Sequence, residues 1–175
     1  MLVRTAIAQD IAAIQPIYAH HVLNGLASFE EEAPPVDEMC RRFEEVTARG
    51  LPYLVAEEKS EVLGYGYCTL YRTRSAYRHT LEDSIYVKQG RHGKGIGKAV
   101  LAELIARCTD LNYRQIIAVI GDSANAGSIG VHRRLGFEHV GVMKSAGWKF
   151  DRWLDVVVMQ RALGLGDSQP PGAGE

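Results

Sequence analysis

The sequence predicts a single α/β domain with a mixed sheet, its elements running β-α-α-β-β-β-α-β-α-β-β along the chain. Three observations carry this. An apolar strand-like run ending at Val87 passes through the turn Gly93-Lys94-Gly95-Ile96-Gly97 directly into a helical pattern. A second run, Gln115-Ile116-Ile117-Ala118-Val119-Ile120, is almost unbroken in apolar residues, as in a strand covered on both faces. Two further runs, Tyr53 to Glu57 and Val62 to Tyr71, flank a polar turn at Lys59-Ser60 and read as an antiparallel hairpin.

The remaining elements follow in order. Leu2 to Thr5 is a short opening strand. Ile11, Ile14, Ile17, Tyr18 and Val22 recur at helical spacing within a helix from about Gln9 to Leu23, which Asn24-Gly25 ends. A loop carrying Ser28-Phe29 and the glutamates Glu30, Glu31 and Glu32 leads to a second amphipathic helix, about Val36 to Arg49, stopped by Gly50 and Pro52. The strand from about His79 to Val87 precedes the glycine turn, and the helix from Gly97 to Leu111 shows a stripe of Val100, Leu101, Leu104, Ile105 and Cys108. A short helix from about Asn125 to Leu135 ends at Gly136, and two strands, about Glu138 to Lys149 and Trp153 to Arg161, close the domain. Residues 1–163 form the expected domain. The segment 164–175, rich in glycine and proline, is expected to be a disordered tail.

Composition narrows the function. A chain of 175 residues buries a full core without disulfides or a structural metal. Its formal net charge of -1 argues against a nucleic-acid partner, which needs a concentrated basic surface. Cys40, Cys68 and Cys108 are odd in number and far apart, with no C-x-x-C pair, so they read as reduced thiols. No signal-peptide pattern opens the chain, and nothing approaches the roughly 20 apolar residues of a membrane span. These features predict a cytoplasmic protein with no membrane partner.

The glycine turn is the first functional signal. A strand that passes through glycines into a helix presents free backbone N–H groups at the helix N-terminus, where the helix dipole also favours an anion. Lys94 and Lys98 add positive charge beside it. Two familiar phosphate loops are excluded. The dinucleotide pattern G-x-G-x-x-G fails because Val100 stands where its third glycine belongs, and the Walker A pattern fails at His92 and Ala99. The six histidines show no H-E-x-x-H spacing, so no metal is expected. The absence of G-x-S-x-G argues against a covalent acyl-enzyme and favours direct attack in a ternary complex.

Several spaced motifs match one family together: Ser28-Phe29-Glu30, the run Ala76 to Val87, the glycine turn, Asn125-x-x-Ser128-x-x-x-His132, Leu135-Gly136-Phe137 and Lys149-Phe150-x-Arg152-Trp153-x-Asp155. From Leu2 to Gln160 the chain resembles the phosphinothricin/methionine sulfoximine acetyltransferases of the GNAT superfamily. The resemblance implies a mostly antiparallel central sheet with two splayed parallel strands and flanking helices, acetyl-CoA as co-substrate, and transfer of its acetyl group to the α-amine of a small amino-acid-like molecule. It also implies a homodimer. Two positions depart from the family pattern. His92 stands where the family has Arg or Gln, with Arg91 one place earlier, and Asp151 stands where the family has Gly.

The resemblance assigns Ile85, Tyr86 and Val87 to a strand edge that pairs with the pantetheine of CoA, with the N–H of Tyr86 or Val87 polarising the acetyl carbonyl. His92, Gly93, Lys94, Gly95, Ile96, Gly97 and Lys98 are the expected pyrophosphate loop. Asn125 is both a good helix N-cap and, with Ser128, an expected CoA contact. Glu82, three residues before the edge, is the candidate base for the substrate ammonium, or else a neutraliser of a nearby arginine. Asp83 falls on the opposite face of the strand and reads as structural. His132 is a candidate proton donor to the departing thiolate, or a packed helix residue. Arg72, Arg74, Tyr77 and Arg78 are candidate carboxylate contacts, or a solvated loop, and Phe29 is the candidate wall of the amino-acid pocket. Two alternatives stay open: acetylation of ordinary amino acids or protein N-termini, and a non-catalytic acyl-CoA sensor.

Overall fold

The computed structural model describes residues 1–172. The strands are β1 (Leu2–Thr5), β2 (Tyr53–Glu58), β3 (Glu61–Leu70), β4 (Thr80–Val87), β5 (Gln115–Gly121), β6 (Glu138–Lys149) and β7 (Arg152–Ala162). The helices are α1 (Ile11–Asn24), α2 (Val36–Thr47), α3 (Ile96–Asp110) and α4 (Ala126–Arg134). The strands form one sheet in the order β1-β2-β3-β4-β5-β7-β6. Only β4 and β5 run parallel; every other neighbouring pair is antiparallel. The expected mixed, mostly antiparallel architecture is borne out.

Element boundaries follow local chemistry. A single 3-10 turn, Ala8–Asp10, precedes α1, because the Asp10 carboxylate accepts from the Ile7 N–H at 2.8 Å and from the two terminal guanidinium nitrogens of Arg4 at 2.7 and 2.8 Å. Gly25 ends α1 through its N–H to the His21 carbonyl. The sequence places the end of α2 at Arg49; the helix stops at Thr47, whose hydroxyl bonds back to the Phe43 carbonyl at 2.9 Å. Such a bond offers the backbone a partner that competes with the helical ladder.

The core lies on both faces of the sheet. Ile14, Val22, Leu54, Tyr65, Leu81, Leu101, Leu104, Ile116 and Met159 are fully buried. α1 and α2 cover one face of the central strands, and α3 packs on the other against β3. β6 is an edge strand that bulges twice against β7 and leaves Val140, Met143, Trp148 and, in the following turn, Phe150 exposed. That turn, Phe150-Asp151, has φ of 52° and 55°. Two left-handed residues between Lys149 and Arg152, which are paired, make a tight hairpin. Asp tolerates this conformation, which gives the departure at Asp151 a physical account: the turn keeps its shape.

After β7 the chain turns at Leu163 to Ser168, where the N–H of Gly166 meets the Leu163 carbonyl and that of Ser168 meets the Leu165 carbonyl. Of the tail expected to be disordered, residues 173–175 lie outside the described residues.

Candidate active site

The site begins where β4 and β5 part. Their parallel pairing runs from Thr80↔Gln115 to Asp83↔Ala118 and stops. β4 continues to Val87 against β3, while β5 continues to Gly121 against β7. The direction of each backbone group on β4 follows from the register. Tyr71 N–H bonds the Thr80 carbonyl and Lys88 N–H bonds the Leu63 carbonyl, so alternate residues between them, Glu82, Ser84 and Tyr86, exchange with β3. Ile85 and Val87 therefore present their backbone groups to the gap beyond the fork. The Val87 carbonyl takes the N–H of His21 Nε2 at 2.9 Å, since a carbonyl only accepts. This corrects one expectation: the Tyr86 N–H faces β3, which leaves Val87 as the N–H donor of the pair, and Tyr86 contributes its ring.

The same alternation sorts the side chains. Leu81, Asp83, Ile85 and Val87 face α3 and α4, and Glu82, Ser84 and Tyr86 face α1. Gly95 caps α3 with φ 78° and Gly93 has φ 76°. A side chain at either is strained, and glycine keeps the amides of the turn open to a ligand. His92, Gly93, Gly95, Ile96, Gly97 and Lys98 line a cavity of about 360 Å³ together with Arg91, His21, Ile85, Val87, Asn125, Ser128 and His132. Ile96, at the floor of the turn, is also part of the core. Lys94 is exposed beside the turn and does not line the cavity. The His92 ring lies 6.1 Å from that of His21, and burial holds the His21 imidazole below the ordinary histidine pKa. Arg91 pairs with Glu61 at 2.9 Å while also bordering the cavity.

Asn125 Oδ1 accepts the Ser128 N–H at 3.1 Å and so caps α4. His132, one turn further on, is 4% exposed. Its Nδ1 lies 2.8 Å from the Ser128 carbonyl oxygen and its Nε2 lies 3.0 Å from Asp83 Oδ2. Burial alone would lower its pKa; the hydrogen bond and charge of Asp83, with the Ser128 carbonyl, raise it above the ordinary value.

On the opposite face of β4, Glu82, Ser84 and Tyr86 line a second cavity of about 390 Å³ with Ala27, Ser28, Phe29, Glu30, Val119, Gly121 and Val156. Glu82 is half-buried, and desolvation, with Asp83 beside it, raises its pKa, an effect the charge of Arg72 partly offsets. The loop that walls the cavity is tied at several points. Tyr18 Oη donates to Glu30 Oε1 at 2.7 Å and lies 3.0 Å from Ser28 Oγ, and Arg42 Nη1 meets Glu30 Oε1 at 2.7 Å. Lys149, 2% exposed, donates to the carbonyls of Val22, Gly25 and Ser28 at 2.6, 3.0 and 2.7 Å.

Four candidate substrate residues lie away from this cavity. Arg72, Arg74 and Tyr77 line a cavity of about 340 Å³ of their own, with Arg72 over the Tyr71 ring at 4.8 Å. Arg78 turns its guanidinium to the Ser75 carbonyl at 3.3 Å and joins neither group. Asp83 and His21 are placed at the site by the structure and carry no site role in the sequence reading, and Lys149, which opens a family motif there, is placed at the acceptor loop. Asp83 has one sequence signal, an acid at the apolar parity of a buried strand; the contact of His21 is long-range and leaves none, and the motif at Lys149 does not reveal its partners on the Val22 to Ser28 segment. Among the described residues no cluster of three or more His, Cys, Asp or Glu side chains is placed to hold a metal. Among the described residues no helix is long and apolar enough to cross a membrane.

A forked parallel pair with a free strand edge, an amide-lined turn at a helix N-terminus and a half-buried carboxylate across the strand together define a class. They suit an acyl-CoA-dependent transferase: the turn fits a pyrophosphate, the edge fits the amides of a pantetheine arm, and the carboxylate fits an amine. Residues 3–158 match the acetyltransferase (GNAT) domain. The chain is 52% identical to phosphinothricin N-acetyltransferase of Alcaligenes faecalis over 169 residues, covering 97% of this chain and 86% of that protein. It is 40% identical to the L-methionine sulfoximine/L-methionine sulfone acetyltransferase of Pseudomonas aeruginosa, covering 96% and 98%. The crystal structure of a GNAT superfamily phosphinothricin acetyltransferase from Sinorhizobium meliloti in complex with acetyl-CoA superimposes with a TM-score of 0.95 at 49% identity, covering 99% and 94%. The chain belongs to the GNAT acetyltransferase family. It is an acetyl-CoA-dependent N-acetyltransferase.

Proposed function

We propose that the acceptor is the α-amine of a small amino-acid-like molecule of the phosphinothricin or methionine sulfoximine type, attacked directly in a ternary complex. The observation that carries this reading is the position of Glu82. It stands half-buried in the second cavity, on the strand whose next residues open the free edge. Relatives that act on phosphinothricin and methionine sulfoximine cover nearly the whole chain, which supports the acceptor class.

When bound, acetyl-CoA supplies an acetyl thioester at the fork. The turn from His92 to Lys98 holds the anionic end, with Asn125 and Ser128 beside it, and the Val87 N–H donates to the acetyl oxygen. Glu82 takes a proton from the substrate ammonium, through a water, before attack. Its raised pKa keeps it a stronger base than an exposed carboxylate. Phe29 and Tyr86 exclude water from the amine. Alignment of the two reactants contributes on the order of 7–11 kcal/mol in favourable cases, more than a single proton transfer does.

Arg72, Arg74 and Tyr77 receive the acceptor carboxylate in this reading, and Arg78 is the weaker member. Their cavity is separate from that of Glu82, and the Arg72 charge nevertheless reaches Glu82. The exposed apolar residues of the β6–β7 hairpin, Val140, Met143, Trp148, Phe150 and Trp153, support a homodimer through that face. A patch of this kind on a soluble protein marks an interaction surface. The reading places the enzyme in the cytoplasm, where acetyl-CoA is available. Residues 1–163 are the catalytic domain.

Thiol release from acetyl-CoA with L-phosphinothricin, L-methionine sulfoximine, ordinary amino acids and a short peptide tests the acceptor. Turnover with the first two and little with the peptide supports it. A flat response, or a preference for the peptide, transfers the reading to ordinary amino acids or protein N-termini.

A further inference from the structure

Tyr65, Tyr67 and Thr69 alternate along β3 and share one face of the sheet, the face that also carries Ser84 and Glu82 of β4. The register sets Thr69 opposite Glu82 and Tyr67 opposite Ser84. Beside the acceptor cavity this row lines a further one, of about 190 Å³, between α2 and the strands β2 and β3. Tyr53, Tyr65 and Tyr67 wall it with nearly parallel rings, their centroids 5.0, 5.9 and 6.3 Å apart. Val46 of α2 covers it, and Arg42 and Thr69, both half-buried, border it. The volume is below the roughly 300–1,000 Å³ of a whole small-molecule site and suits one arm of a molecule.

One wall of this cavity is chemically unfinished. Tyr65 is completely buried, and its hydroxyl has no hydrogen-bond partner among the described residues. An unpaired buried hydroxyl costs stability, and phenylalanine would fill the same space without that cost. Burial holds the phenol well above its ordinary pKa, so the hydroxyl keeps its proton and donates. What it lacks is a hydrogen-bond acceptor. The charges nearby are already matched. Arg42 meets Glu30 and Glu38, each at 2.7 Å, and Glu45 pairs with Arg41. The polar groups left for an occupant are hydroxyls, which suit an oxo oxygen. The cavity also adjoins that of Glu82. Tyr18, whose ring lines it, donates through its hydroxyl to Glu30 at 2.7 Å and lies 3.0 Å from Ser28 Oγ, and both of those residues line the acceptor cavity. Tyr67, Thr69 and Glu82 are half-buried, so the two cavities border one strip of surface.

We propose that the tyrosine-walled cavity is the subsite for the acceptor's side chain, and that the Tyr65 hydroxyl donates a hydrogen bond to an oxo oxygen at its end, carried on sulfur or phosphorus. The proposal rests on the reading of the Glu82 cavity as the place of the acceptor amine. From an α-carbon over Thr69 and Glu82, the amine meets Glu82 and the carboxylate runs toward Arg72, three residues beyond Thr69. The side chain turns the other way, under α2. An acceptor whose side chain ends in an apolar group leaves the hydroxyl unpaired, and a site built to pair a polar group discriminates against it for that reason.

The test compares L-methionine sulfone, L-phosphinothricin and L-methionine, the last being the sulfone without its oxygens, in the wild type and in Tyr65→Phe. For the two oxo-bearing acceptors kcat/KM should fall about 3- to 10-fold in Tyr65→Phe, through KM more than kcat, while methionine changes less than about twofold. A loss confined to one of the two assigns the oxygen to sulfur or to phosphorus and upholds the subsite. Equal losses for all three acceptors, or no loss for any, overturn it. Because the hydroxyl bonds nothing in the free protein, the Tm of Tyr65→Phe should equal or exceed that of the wild type. A fall of several degrees would put the hydroxyl in the fold's own bonding and overturn the proposal. Calorimetric titration of the sulfone and of methionine into each protein, with CoA present, separates the subsite from the chemistry. Absence of thiol release with every small acceptor defeats the transfer reading alone. The ratio of the two Kd values still decides the subsite: a preference for the sulfone that Tyr65→Phe removes supports it, and an unchanged ratio or no binding of the sulfone overturns it.

Discussion

Lys149 on β6 places its ammonium 2.7 Å from the carbonyl oxygen of Ser28, 121 residues earlier in the chain. The same ammonium caps the carbonyls of Val22 and Gly25, at the end of α1. It lies between Trp148 and Phe150, both 52% exposed, so one strand end serves the outer apolar face and the inner loop at once. Desolvation lowers its pKa, which the charges of Glu31 and Glu30 offset only in part.

Lys149→Met leaves those carbonyls buried without their donor. The expected loss is about 2–3 kcal/mol, read as a drop of roughly 4–12 °C in Tm. Because the loop carries Ser28, Phe29 and Glu30, the KM for the acceptor rises while that for acetyl-CoA changes little. Steady-state kinetics with each substrate varied in turn separate the two. Equal increases would detach Lys149 from the acceptor loop.

Gly147→Ala tests the other contact between β6 and that loop. A Cβ at Gly147 would lie 2.3 Å from the Phe29 ring, so the ring must move. The cavity wall shifts with it, and kcat/KM for the acceptor falls on the order of tenfold or more. The β6–β7 pairing is left in place, so thermal unfolding should change far less than kcat/KM. A variant with wild-type kinetics would show that the Phe29 position is immaterial to the acceptor.

Rate against pH reports Glu82. Its folded pKa is raised, so the carboxylate is lost as pH falls through a value above the ordinary carboxylate range. The acid limb of kcat/KM therefore lies higher than an exposed glutamate would place it. Arg72 lowers the Glu82 pKa, so Arg72→Ala moves that limb further toward neutrality. A limb that stays still would mean that the Arg72 charge does not reach Glu82 in solution.

The sequence makes the fold legible wherever the signal is local. The periodicity of residues 97–111 and the apolar run at 115–120 fix α3 and β5, and the turn between Val87 and Gly97 fixes their junction with β4. Glu82 is legible for the same reason, as a carboxylate on a strand feeding that turn. Contacts that span the chain are not. Nothing local connects Lys149 with Val22, and nothing in the spacing pairs Asp83 with His132, 49 residues on. The direction of the Tyr86 N–H depends on the β3–β4 register, which the parity of residues within one strand leaves open. Arg72, Arg74 and Arg78 illustrate a further limit. Their clustering in sequence is clear, yet the turn at Ser75–Tyr77 points Arg78 back onto its own backbone.

The most direct test is the initial rate of thiol release from acetyl-CoA with L-phosphinothricin, for the wild type and Glu82→Gln, at saturating co-substrate above the acid limb. The wild type should turn over readily and Glu82→Gln should lose about 10²- to 10⁴-fold in kcat, with the KM for acetyl-CoA unchanged. Equal rates for the two proteins, or no wild-type turnover of L-phosphinothricin alongside rapid acetylation of a peptide, would contradict this reading.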